Sequence, residues 1–361
     1  WNQMNNTKEC IYVGYDSTNF NTNAYGIELA DYGHPKVDEG LPQYNLAYAV
    51  NQKDSTPLFY ELYDGSVIDN TELEIMLEEA KEFGHEKLGV LMDRGYISEK
   101  NIKALRTKGY EYILMMKQNQ RICQEIIEEY GAAVQSLEGY YIGEHGVYGT
   151  TVKKQLYGQE TNIHVYYDDI RASEEKVALM SRYETWEKEI EKKVAKRIAT
   201  EGEMKKYRKV FKLKYDQNGY LVAYQRNSRY IKEEIRNLGF FFIITSEEMS
   251  TSKALDIYRG RDNIEKMFRS LKSGIDFNKA RVHTTESLKS KVFVTFIAMI
   301  VRNELFQKAE ELRKKNRKAY TVPGMISELE NIECTRNSVG RYRRKYALTA
   351  KQKLILKQFD M

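Results

Sequence analysis

The sequence predicts an α/β protein, a mixed five-stranded sheet flanked by helices, with a β-rich insertion ahead of the core's last helix. Three observations carry this reading. Three strand-like segments follow one another near the start, after which helices alternate with apolar strands. A block from about residue 119 to 238 changes character, with Tyr- and Val-rich strands around a long charged helix. From Gly239 a wholly apolar strand and an amphipathic helix resume the first pattern. At 361 residues the chain suits roughly two domains and needs no disulfides to stabilise its core.

Residues 11–18 (IYVGYDST) form the first strand, with Asp16 near its C-terminal end. Residues 44–51 and 58–63 are two more, rich in Tyr, Leu and Val, and the turns between them suggest antiparallel pairing. Thr71-Glu72-Leu73-Glu74 opens a helix as a capping box. Leu73, Met76, Leu77, Ala80 and Phe83 give it one apolar face, and Gly84 ends it. Residues 88–92 (LGVLM) read as a strand buried on both faces that delivers Asp93 at its C-terminal end. Ser98 caps the next helix, which runs through Ile102 and Leu105 to Gly109, and residues 110–116 (YEYILMM) are another strand. This order of elements matches the start of a ribonuclease-H-like (RNase H-like) mixed sheet.

The middle block holds the strand-like pieces YYIG, GTTVKKQLY and NIHVYY, a charged helix over about residues 172–200, and a hairpin turning at Asn218-Gly219. Residues 240–245 (FFFIIT) are a buried strand, followed by one helix from about Ser252 to Lys272, closed by Gly274. The apolar run over residues 292–301 reads as a buried helix, and the tail ends in the cluster Arg341, Arg343, Arg344 and Lys345. The expected organisation is a first part of the core (1–118), the insertion (119–238), a second part of the core (239–310) and a helical basic tail (311–361).

Fifty-seven Lys and Arg against 52 Asp and Glu leave a net charge of +5, compatible with a nucleic-acid partner. Three scattered cysteines without C-x-x-C spacing point to a reducing cytoplasm and no zinc site, and five dispersed histidines argue against a His-rich metal cage. The 292–301 run is too short to span a bilayer, so no membrane partner is expected. There is no P-loop lysine and no G-x-G-x-x-G, so no nucleotide cofactor is expected either. The opening Trp1-Asn2-Gln3 has no initiator Met, which suggests an excised fragment missing an upstream segment.

In the helix after Gly239, steps of three, four and seven place Tyr258, Arg261, Glu265 and Lys272 on one face. Ile257, Ile264, Met267, Phe268 and Leu271 form a separate apolar stripe. A carboxylate flanked by two cations and a phenol suits a site where a metal and phosphates meet. The plain alternative is a solvated face with an Arg261–Glu265 pair worth about 0.3–0.5 kcal/mol. Asp16 and Asp93 add two carboxylates at strand ends, where a rigid sheet can aim them into a crevice. Two-metal phosphodiester chemistry needs such oxygen ligands. Either aspartate alone could equally be a turn residue.

The string Tyr258-x2-Arg261-x3-Glu265-x6-Lys272 reproduces the Y-R-E-K signature of bacterial insertion-sequence transposases of the DDE class, and the chain resembles that family from about Tyr12 to Gln307. The first Asp sits in GYDST and the second in Asp93-Arg94-Gly95-Tyr96. Pro57, Gly65 and Asp69 fit the pattern between them, and the stretch from Arg281 through Arg302 resembles the family's C-terminal helix. The resemblance implies that Asp16, Asp93 and Glu265 are the catalytic, metal-binding triad for Mg²⁺, with Mn²⁺ as substitute. It implies that Tyr258, Arg261 and Lys272 hold the DNA backbone. The implied reaction is hydrolysis of a phosphodiester to free a 3′-OH, then attack of that 3′-OH on target DNA. The implied partners are double-stranded DNA, as transposon ends and target, and a second copy of the chain in a homodimer. The implied setting is the bacterial cytoplasm, associated with the nucleoid when bound to DNA. The alternatives are a metal-dependent nuclease on the same fold without strand transfer, and a domesticated, non-catalytic DNA-binding relative.

Three further features stand beside this array. Trp186, in the insertion, reads as a packing residue in preference to a base-stacking one. The ten Lys and Arg of residues 192–214 suit either phosphate tracking or a solvated face. His283, soon after the Y-R-E-K helix, reads as structural.

Overall fold

The computed structural model describes residues 10–33, 40–67, 69–85, 87–136, 140–196, 201–275, 277–316, 320–336 and 338–360. The Trp1-Asn2-Gln3 opening, the capping side chains of Thr71, Glu72 and Glu74, and residues 197–200 of the charged helix and basic run lie outside the described residues. The chain forms two compact units, Trp1–Tyr112 with Ile257–Met361, and Ile113–Asp256.

In the first unit β1 (Ile11–Asn21) pairs antiparallel with β2 (Gln43–Asn51), and β2 pairs antiparallel with β3 (Pro57–Asp64). Helix α1 (Asp69–Glu82) buries Leu73, Met76, Leu77 and Ala80, whereas Phe83, expected on that face, lies past the helix end and is 43% exposed. The helix leads to β4 (Leu88–Met92), which is buried throughout and pairs parallel with β1. The order β3-β2-β1-β4, with β1–β4 parallel and the other pairs antiparallel, makes this a mixed sheet. A 3₁₀ turn (Arg94–Tyr96) follows, then α2 (Glu99–Lys108). Ser98 caps α2 by accepting from the Asn101 amide, and Gly109 ends it in the left-handed region at φ 74°. Strand β5 (Glu111–Met115) starts in this unit, where the Tyr12 hydroxyl donates to Glu111 at 2.7 Å.

The second unit takes the rest of β5, then α3 (Arg121–Ser136), β6 (Tyr141–Ile142), β7 (Val147–Leu156), β8 (Gln159–Tyr167), α4 (Asp169–Lys196), β9 (Phe211–Tyr215), β10 (Leu221–Arg226), α5 (Ser228–Arg236) and β11 (Phe240–Thr245). Its sheet is antiparallel, in the order β5-β11-β8-β7-β6. Helix α3 falls where the sequence pattern predicts no element, although Cys123, Ile126, Ile127 and Val134 are buried at helical spacing. The hairpin β9–β10 turns at Gly219, whose φ of 80° suits glycine. With α4 it encloses a small core in which Trp186 packs edge-on against Tyr207, their ring centres 5.6 Å apart.

Helix α6 (Thr251–Arg259) begins in the second unit and ends in the first. The first unit resumes with α7 (Asp262–Arg269), a π-helical turn (Ser270–Gly274), α8 (Thr285–Asn316), α9 (Val322–Glu330), the hairpin β12 (Cys334–Arg336) and β13 (Tyr342–Arg344), and α10 (Ala350–Gln358). Ile264, Met267 and Phe268 of α7, with Leu271, join Tyr44, Tyr48 and Val50 of β2 and Val292, Phe296 and Met299 of α8 in one core. The 292–301 run is helical as expected, but it is buried on one side only. Phe293, Val294, Ile297 and Val301 are exposed, because α8 meets the core along one stripe only. Among the described residues no helix is long and apolar enough to cross a membrane.

Gly89 of β4 lies opposite Tyr12 in the β1–β4 register, and a Cβ there would fall 2.4 Å from two Tyr12 ring atoms. Gly89→Ala is therefore expected to destabilise the fold by about 1–3 kcal/mol through overpacking. The measurement is the urea midpoint, which should fall with no change in the slope. A wild-type midpoint would mean that the Tyr12 ring is free to move aside.

Candidate active site

The site begins with strand register. The β1–β4 pairing runs from Ile11↔Leu88 to Gly14↔Leu91, and the same offset brings Asp16 level with Asp93. Strand β4 stops at Met92, so Asp93 leaves the sheet at that height. Its side chain accepts from the Arg94 amide at 2.7 Å and caps the 3₁₀ turn, which fixes where the carboxylate points. Asp16 accepts from the Ser17 amide at 2.9 Å. Strand β1 continues to Asn21, so Asp16 lies in mid-strand and not at the end that sequence suggested. It shares the β1 face of Thr18 and Phe20.

The other residues come from a helix that is not continuous. The sequence predicts one helix from Ser252 to Lys272, but α6 stops at Arg259 and α7 starts at Asp262. Between them the bonding tightens to steps of three, with Arg261 N–H donating to Tyr258 C=O at 3.0 Å and Ile264 N–H to Arg261 C=O at 3.0 Å. Tyr258 thus lies in the last turn of α6, Arg261 stands in the break, Glu265 lies in α7 and Lys272 in the π turn.

Arg261 is where these elements meet. Its Nη2 lies 3.6 Å from Asp16 Oδ2 and 3.6 Å from Asp93 Oδ2, and its Nη1 lies 3.3 Å from Glu265 Oε1. The two aspartate oxygens are therefore no more than about twice 3.6 Å apart. The arginine side chain is 15% exposed. Burial works against its charge, but Asp93, Tyr258, Asp16 and Glu265 outweigh that and hold its pKa above the usual arginine value. Its Nε is buried without a hydrogen-bond partner. Burial is the main force that pushes the Tyr258 hydroxyl up to about 12. Arg261 pulls it back, while Asp93 and Glu265 add to the rise. Lys272 stands further along β1, donating to Thr18 Oγ1 at 2.8 Å, with its ammonium 5.3 Å from the centre of the Phe20 ring.

Gln52, which no motif marks in the sequence, also belongs to this arrangement. Its side chain fills the space left by two glycines, one on β1 and one in the helix break. A Cβ on Gly14 would fall 2.0 Å from Gln52 Nε2, and one on Gly260 3.1 Å from Gln52 Oε1. Both polar atoms of this carboxamide are buried without partners, and its backbone carbonyl accepts from Asn263 Nδ2 at 3.0 Å. Gln52 so ties β2 to the turn that presents Arg261. The only sequence trace of this was glycine inside a strand pattern and inside a helix pattern. The remaining candidates lie elsewhere. Trp186 packs within the second unit. Of the basic run, Lys206 pairs with Glu189 at 3.1 Å and Arg208 pairs with Glu201. His283 is exposed beside the Gly26–Thr284 bridge.

A family model described as the transposase DDE domain matches residues 13–301. Among solved structures, a piggyBac transposase synaptic complex with hairpin DNA is similar at 8% identity and a TM-score of 0.39, over 86% of this chain. The chain spans 50% of the length of that protein. No curated protein shows significant sequence similarity to the chain.

The raised Tyr258 pKa has a consequence for stability. The folded value of about 12 exceeds the unfolded value near 10, so the folded state holds this proton more tightly. The contribution is whole below about pH 10 and is lost as pH rises towards 12, at most ~3 kcal/mol in all. Tyr258→Phe should flatten the fall in the urea midpoint across that window. An unchanged alkaline limb would show that the phenol titrates freely.

Proposed function

Because the chain belongs to the transposase DDE domain family, we propose that it cuts and joins DNA phosphodiesters at insertion-sequence ends, with Asp16, Asp93 and Glu265 as its acidic triad. The observation that carries this reading is the convergence of three carboxylates, from β1, from the end of β4 and from α7, on the single Arg261 guanidinium. Three carboxylates form an all-oxygen donor set, which fits a hard divalent ion such as Mg²⁺, or Mn²⁺ in its place. Asp16, Asp93 and Glu265 would hold it. Such an ion, when bound, supplies charge for the phosphoryl oxygens and eases ionisation of the attacking hydroxyl.

The chain's own residues then have distinct parts. The guanidinium cannot keep all three carboxylates and also meet a phosphate. Arg261 turns from the acids to the DNA backbone once their charge is satisfied otherwise, and its planar fork matches a phosphate. Tyr258, kept protonated by burial, donates a hydrogen bond beside it. Lys272 adds a point charge further along β1. The products follow from this role: a free 3′-OH, then its attack on a target strand. The substrate is double-stranded DNA, as transposon ends and target. Two copies of the chain act on paired ends, in the bacterial cytoplasm and on the nucleoid when engaged.

Asp16→Asn, Asp93→Asn and Glu265→Gln each remove a negative oxygen at nearly constant volume. Each is expected to abolish Mg²⁺-dependent cleavage of a terminal-repeat duplex and leave the circular dichroism spectrum unchanged. Wild-type cleavage by any one of them removes that residue from the triad.

Arg261→Ala should act in two directions. It removes a positive charge some 3.3–3.6 Å from the ligand oxygens, so Mn²⁺ affinity by calorimetry should rise by roughly tenfold or more. It also removes a phosphate partner, so DNA affinity should fall and the salt slope of binding should flatten by about one. Unchanged Mn²⁺ affinity would separate Arg261 from the ion's ligands, and an unchanged salt slope would separate it from DNA.

A further inference from the structure

The second unit carries a cluster that the acidic triad does not use. The turn between β6 and β7 is tight. The amides of His145 and Gly146 both donate to the Ile142 carbonyl at 3.0 Å, and Gly146 takes the left-handed φ of 65° that favours glycine. This turn presents Glu144 and His145 towards Asp256 of α6. His145 Nε2 lies 2.9 Å from Asp256 Oδ1, and one ligand atom from each of Glu144, His145 and Asp256 lies within 4.8 Å of the other two. Among the described residues no other group of three or more His, Cys, Asp or Glu side chains meets that limit, the acidic triad included. The imidazole is 10% exposed and the Asp256 side chain 54% exposed, so the cluster is anchored on one side and open to solvent on the other.

We propose that Glu144, His145 and Asp256 bind a transition-metal ion of the zinc class, at a site separate from the acidic triad. The donor set is one imidazole nitrogen and two carboxylates, a combination that suits zinc, whereas Mg²⁺ prefers oxygen alone. Bonds of about 2.0–2.2 Å to one tetrahedral ion hold its ligand atoms roughly 3.3 Å apart. The spacing here brackets that figure, so small side-chain rotations close the site. Three protein ligands leave a fourth position for water. Charge argues the same way, because two carboxylates gather around one imidazole and a divalent cation lowers the repulsion between them.

The consequence is mechanical. Asp256 stands two residues before Tyr258 and five before Arg261 in sequence. An ion at this cluster would pin the β6–β7 turn to α6 and stiffen the helix whose end carries Tyr258.

The test is calorimetric titration of Zn²⁺ into the full chain with millimolar Mg²⁺ present to mask the acidic triad. The visible absorption of added Co²⁺ serves as a second readout. Four proteins are compared: wild type, His145→Gln, Asp256→Asn, and a triple variant with Asp16→Asn, Asp93→Asn and Glu265→Gln. The expected result is one Zn²⁺ equivalent in the wild type and in the triple variant, with affinity at least tenfold weaker in both single variants. The exposed Asp256 makes its variant informative even where the histidine variant fails to fold. Loss of Zn²⁺ binding in the triple variant, or its retention in Asp256→Asn, overturns the proposal. Neither outcome bears on the acidic triad's role in cleavage, so the two readings fail separately.

Discussion

Three carboxylates brought together in a half-buried recess repel one another, and Arg261 makes that arrangement tenable. Its guanidinium faces all three, and they in turn secure its charge against the cost of burial. Much of the surrounding structure supports this one contact. The parallel β1–β4 register sets Asp16 and Asp93 at one height. The break between α6 and α7 turns Arg261 inward, and the apolar side of α7 anchors that break on β2 and α8. Gln52 wedges β2 against the break through the room that Gly14 and Gly260 leave.

The same economy explains the irregular helix. A straight α-helix from Ser252 to Lys272 would have to serve the apolar stripe and the polar array at one fixed pitch. The 3₁₀ step before Ile264 and the π turn after Arg269 wind the backbone tighter and then looser, so each side chain meets its own partner. Lys272 thereby reaches Thr18, two residues along β1 from Asp16, while Leu271 stays in the core. Local departures from regular helix here serve placement of the polar groups.

The second unit is organised on different terms. Its antiparallel sheet needs no crossover helices, and its hairpin core closes on Tyr183, Trp186 and Tyr207. Lys212 and Lys214 alternate outward on β9 while Phe211 points in, the period-two pattern of a strand with one buried face. The basic character of this stretch is thus compatible with its packing.

Much of the site was legible in the chain itself, because its determinants are short-range. The apolar run LGVLM marks a buried strand and its end, Ser98 and Gly109 mark a helix, and the Y-R-E-K spacing marks a polar face, all within a few residues. The three carboxylates that meet at Arg261 lie in short motifs, GYDST, Asp93-Arg94-Gly95-Tyr96 and the Y-R-E-K string, and it is the family resemblance of those motifs that singles them out. Other features depended on partners far away in sequence. The break at Gly260 answers to Gln52, some two hundred residues earlier, and the lateral exposure of the 292–301 run answers to which face of α8 finds β2 and α7. Gathering Glu144 and His145 with Asp256 likewise needs a turn and a helix more than a hundred residues apart. Local propensity and periodicity determine which elements form and what they carry. Tertiary packing decides how far each element continues and which charges meet, because those depend on shape and charge that separate segments supply only once they are packed together.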